Sequence, residues 1–75
     1  MREIVIVPRP GLELGMELFA SIACLRSAGI GARSALIERD CAVVWVDDHE
    51  IRIAVTLLRN NGFEAAAVTE TDRSS

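Results

Sequence analysis

The sequence predicts a mixed α+β fold: a four-stranded antiparallel sheet with two helices on one face. Three observations lead there. Apolar residues switch repeatedly between the two-residue period of strands and the three-to-four-residue period of helices. The resulting runs fall in the order β-α-β-β-α-β, and a glycine follows each helical run. At 75 residues the chain has room for one domain, and 51% hydrophobic with 25% charged residues is the composition of a folded one.

Glu3 to Val7 is short, β-branched and closed by Pro8, which predicts a strand. Pro8-Arg9-Pro10-Gly11 reads as a stiff loop, its prolines fixing φ and its glycine free to turn. From Leu12 to Ala28, Leu14, Leu18, Ile22 and Leu25 recur at helical spacing, with Met16, Phe19 and Ala23 beside them and Gly29 as the C-cap. Ile30 to Ile37 alternates loosely as a half-exposed strand, and Glu38-Arg39-Asp40 is a turn. Cys41 to Val46 is the strongest strand signal. Asp47 with Glu50 three residues later resembles a capping box, opening a helix whose inward residues are Ile51, Ala54, Val55 and Leu58. Asn60-Asn61-Gly62 ends that helix, Phe63 to Thr69 is a last strand, and the tail is polar and frayed. Two interleaved right-handed β-α-β units make a ferredoxin-like sandwich. One domain over 1–70, with 71–75 as tail, is expected.

A two-layer sandwich normally wets the sheet face opposite its helices, so its strands alternate. Here Ile4 to Val7 and Val43 to Val46 are apolar on both faces, and the first helix has only Glu13, Glu17 and Arg26 as charges. Surface of that kind marks a protein contact, so the expectation is a homo-oligomer, most simply a two-fold dimer. Strand parity groups Val43 with Trp45 and Val44 with Val46, leaving open which pair faces the helices.

The inventory excludes several classes of function. A net charge of -3, with arginines spread along the chain, argues against nucleic-acid binding. No apolar run approaches a membrane span, and the N-terminal order does not suit a secretory signal. Cys24 and Cys41 have no metal or redox spacing and read as reduced thiols of a cytoplasmic protein. All eight basic residues are arginine, which removes lysine chemistry. The single histidine, His49, has no nucleophile expected in reach, so no enzyme activity and no cofactor are expected. Asp47, Asp48, His49 and Glu50 are metal-ligand types, but four consecutive residues cannot converge on one centre, and no metal is expected.

Val7-Pro8-Arg9-Pro10-Gly11-Leu12 after a first strand resembles the loop that opens the first helix of ACT domains. Gly29-Ile30, Val44-Trp45-Val46-Asp47-Asp48, and Leu57-Leu58 with Gly62-Phe63 are similar to later landmarks of that family, so the likeness runs from about Ile4 to Val68. Pro8 stands where the family often has Asp or Asn. The resemblance implies a regulatory module that binds amino acids or other small molecules between paired copies. It implies a ligand site of Pro10, Gly11 and Leu12 from one copy, with Ala28, Gly29 and Ile30 from another, to which Arg9 adds a candidate ligand-binding charge. The charge of Arg9 and the start of the first helix suit an anionic group, although Glu13 and Glu17 already complement that helix dipole. With no enzyme domain in the chain, a regulated protein partner is expected in trans. The alternative is a docking module for another protein, with no small ligand.

Overall fold

A computed structural model describes residues 1–68. Within them, β1 (Arg2–Val7), α1 (Leu14–Ser27), β2 (Ser34–Glu38), β3 (Cys41–Val46), α2 (Ile51–Asn60) and β4 (Glu64–Ala67) follow one another, with a short 3-10 turn at Asp48–Glu50. The sheet order is β2-β3-β1-β4, and every neighbouring pair is antiparallel. This is the ferredoxin-like arrangement. The end of the expected last strand, Thr69, and the expected tail lie outside the described residues.

Ile4 pairs with Val44 on one side and Ala67 on the other, so the register carries Ile4, Ile6, Ala42, Val44, Val46 and Ala65 onto one face. There they meet Leu25 of α1 and Ala54, Val55 and Leu58 of α2 in a single core. Val43 and Trp45, one residue out of phase, face away from the helices. The parity question is thereby answered, with Trp45 half-buried on the open face.

Both helices end in the same device. Gly29 N–H donates to Arg26 O at 2.9 Å and Ile30 N–H to Leu25 O at 2.9 Å. Gly62 N–H donates to Arg59 O at 3.0 Å and Phe63 N–H to Leu58 O at 3.0 Å. These are Schellman motifs, with φ of 81° at Gly29 and 89° at Gly62. Each glycine sits one position beyond the cap itself, which is Ala28 or Asn61. The apolar residue after each glycine closes the motif on the last inward leucine, so Ile30 and Phe63 are buried but non-helical and non-strand.

That device accounts for two boundary differences. β2 starts at Ser34 and not at Ile30, because Ile30 is committed to the helix end. β4 starts at Glu64 for the same reason at Phe63. α1 starts at Leu14 and not Leu12, since Gly11 has a φ of 83° and Glu13 remains extended at the N-cap position. β2 is one of the two edge strands, and all of its residues are exposed. Its N-terminal side is held by Arg33, whose N–H donates to Trp45 O at 2.8 Å.

Leu58 is fully buried between the sheet and α1. Leu58→Ala lowers unfolding free energy by about 2–5 kcal/mol, whereas Ile53→Ala, on the exposed side of α2, changes it by no more than about 0.5 kcal/mol. Urea titration followed by circular dichroism measures both.

Candidate functional site

The loop between β1 and α1 is organised by one side chain. Arg9 Nε donates to Glu17 Oε2 at 3.1 Å and Nη2 to Glu17 Oε1 at 2.7 Å, a two-pronged ion pair. The backbone N–H of Arg9 adds a third bond to Oε2 at 3.2 Å. The guanidinium also lies over the Phe63 ring, 4.7 Å from its centre, and its Nη1 is the atom a Cβ at Gly62 would meet at 3.2 Å. Arg9 thus joins the loop, the start of α1 and the turn from α2 into β4.

Glu17 is 1% exposed. Its place on α1 differs from the expected solvent-facing first turn: Glu17, Ser21 and Leu25 form the inward stripe. Burying a carboxylate costs too much unless it is paired, and Arg9 is the partner. The hydrogen bonds from Arg9 hold the Glu17 carboxyl below the ordinary glutamate range, against the opposing effect of burial. Those same bonds raise Arg9 further above its usual value. Ser21, one turn on, is satisfied within the helix, its hydroxyl donating to Leu18 O at 2.7 Å. The signal was present in the spacing, since 17, 21 and 25 repeat at four-residue steps beside Leu14 and Leu18.

Pro10, Gly11 and Leu12 are exposed at one end of α1. Ala28 and Gly29 are exposed at the other end, and Ile30 is buried there. A helix of 14 residues spans about 21 Å, so one chain does not bring these two groups together.

Two apolar surfaces remain open. On α1, Met16 and Phe19 are 64% and 80% exposed, and with Leu18, Ala20, Ala23 and Ile37 of β2 they line a groove of about 710 Å³. Turning Glu17 and Ser21 inward is what turns Met16 and Phe19 outward. On the sheet, Val5, Leu36 and Trp45 share the face away from the helices with Val43, which they bury, so that Leu36 is exposed and Val5 and Trp45 are half-buried.

The acidic cluster after β3 is not the expected side-chain cap. Asp47 stands at the N-cap position without a side-chain cap bond. Its oxygens instead accept from Arg33, Nε to Oδ1 at 3.0 Å and Nη2 to Oδ2 at 3.0 Å, and these bonds lower the Asp47 pKa. Asp48 pairs with the N-terminal ammonium of Met1 at 3.0 Å. Donor atoms of Asp47, His49 and Glu50 lie within 4.8 Å of one another, but both Asp47 oxygens are already engaged by Arg33. Cys24 and Cys41 are free thiols. Among the described residues, no helix is long and apolar enough to cross a membrane. No family model, curated protein or solved structure matches this chain.

A carboxyl whose pKa is lower in the folded chain stabilises the fold above its unfolded pKa. It loses that contribution as pH falls toward the folded value. The urea midpoint is therefore expected to hold between about pH 5 and 7 and to fall below about pH 4. Glu17→Gln lowers the midpoint at neutral pH and flattens the acid limb, and Asp47→Asn removes the smaller remainder. An unchanged acid limb in Glu17→Gln contradicts the pairing.

Proposed function

We propose that this chain is a regulatory module that pairs with a second copy of itself through α1 and reads a small molecule held between the copies. The observation that carries this reading is the outward stripe of α1, where Phe19 and Met16 stand exposed beside alanines. A monomer gains nothing from that stripe, and apolar surface of this size belongs to contacts.

The stripe suits an antiparallel two-fold pair. With the axis passing between Phe19 and Ala20, each Phe19 packs on Ala20 of the other copy and each Met16 on Ala23. Large residues meet small ones, which allows the helices to approach closely. Glu13 at the start of one helix then lies against Arg26 in the last turn of the other. Such a pair also sets Pro10, Gly11 and Leu12 of one copy near Ala28 and Gly29 of the second, twice over. Those are the two groups that a single chain holds about 21 Å apart.

Because Arg9 is committed to Glu17, the loop offers its ligand backbone groups and not a free guanidinium. Amino acids, the ligands that the resemblance to ACT domains suggests, present both a donor and an acceptor to such groups. Binding between copies shifts the pairing equilibrium by its differential affinity, and a regulated protein in trans reads the shift. A second reading, docking of another protein, is favoured by the open sheet face with Leu36 and the half-buried Trp45, which α1 pairing leaves uncovered.

Light scattering over a concentration series is expected to give twice the chain mass for the wild type and the monomer mass for Phe19→Asp. Glu13→Arg weakens pairing, and Glu13→Arg combined with Arg26→Glu restores it. A wild type that stays monomeric throughout overturns the reading in favour of docking to another protein. Thermal shifts with the common amino acids then test the ligand, since one that binds only the pair raises the melting point of wild type and not of Phe19→Asp.

A further inference from the structure

The groove between α2 and the free edge of β4 has a different character from the rest of the surface. It encloses about 420 Å³, and Arg2, Arg52 and Arg59 line it together with Val55, Ala66 and Ala67. We infer that this groove is a binding site for a small molecule carrying two or more phosphate or carboxylate groups. The site lies within one chain and does not depend on pairing.

Four observations carry the inference. The Nε of Arg2 is buried and has no hydrogen-bond partner. An unmet buried donor is costly, and an incoming anion supplies what it lacks. Secondly, three guanidinium groups share this groove, and among the described residues none that lines it is acidic. Thirdly, the ion pairs of the described residues engage Arg9 and Arg33 but none of Arg2, Arg52 or Arg59. Arg59 uses only Nε, which donates to Ala65 O at 2.8 Å and fixes the side chain along β4, leaving its terminal nitrogens for a ligand. Fourthly, Ala67, which shares the helix-facing side of β4 with Ala65, is small and leaves room where a larger side chain would fill the space.

Three guanidinium forks outnumber what one carboxylate can accept, which points to a ligand with at least two anionic groups. The volume falls in the range of small-molecule sites. A nucleic-acid backbone is the poorer fit, because among the described residues Arg26 and Arg39 do not extend the patch. Arg39 lies in the turn beside β2, at the opposite edge of the sheet, and Arg26 is in the last turn of α1. The three arginines come from the first strand and from two turns of α2, and sequence spacing alone does not unite them.

The test is a titration of the full chain with tripolyphosphate and, separately, with citrate, at low ionic strength and followed by amide NMR shifts. It is run on the wild type and repeated on Phe19→Asp to separate binding from pairing. Saturable shifts at the Arg2, Thr56 and Ala66 amides are expected with one probe or both, and the two arms tell phosphate from carboxylate preference. Arg52→Gln, an exposed position, and Arg2→Gln are each expected to weaken binding at least tenfold. Arg39→Gln leaves it unchanged. No saturable binding of either probe overturns the inference. So do shifts centred elsewhere, or equal weakening by Arg39→Gln, which would mean diffuse attraction to positive charge.

Discussion

Everything about α1 depends on the pairing of Arg9 with Glu17. A carboxylate in the interior needs a cation in reach, and the loop after β1 delivers one with two parallel hydrogen bonds and a third from its own backbone. Once Glu17 faces inward, helical geometry decides the remaining positions. Ser21 and Leu25 follow it in, and Met16, Phe19, Ala20 and Ala23 are turned out. α1 is thus polar at part of its buried face and apolar on its exposed one, the reverse of an ordinary surface helix. By contrast, α2 keeps Ala54, Val55 and Leu58 in and its arginines out. The unusual surface of the molecule follows from one buried charge.

Much of the fold was legible in the sequence because its signals are local. Cys41 to Val46 is a strand to the residue, since six apolar or small residues between an aspartate on either side admit little else. The glycines after the helices also declared themselves, although the apolar residue following each proved to belong to the helix end and not to the next strand. Less legible were choices between partners far apart in the chain. Asp47 had a helix to cap and an arginine to bind; the guanidinium fork of Arg33, fourteen positions earlier, took both oxygens. Glu17 had the helix dipole in sequence and Arg9 in space. Arg2 gave no hint of its neighbours on α2 until the sheet order brought β1 and β4 together. The face occupied by Trp45 was undecidable from parity alone, and required the register against Glu3.

The features with functional character are distributed over opposite sides. The apolar stripe lies where α1 packs beside β2, and the arginine groove where α2 meets β4. Strands β3 and β1 separate these two edges. Arg9 touches material from both sides, holding Glu17 of α1 while it covers Phe63 and lies against Gly62 in the turn that leads into β4. Its contacts are with the buried stripe of α1 and the end of α2, and it lines neither the apolar groove nor the arginine groove.

The edge strand β2 has a bearing on how the chain breathes. Every residue of β2 is exposed, its single neighbour is β3, and the loop leading to it is secured by the exposed Arg33–Asp47 clip. Salt screens such a clip, and few buried contacts oppose separation of the strand. β2 is thus an element whose amides are expected to exchange with solvent early, through openings that leave the core of β1, β3 and the helices intact. Each opening bares the edge of β3, a strand with almost no charge to discourage pairing with another chain. The clip between Arg33 and Asp47 holds the loop that leads into β2, and its strength falls as ionic strength rises.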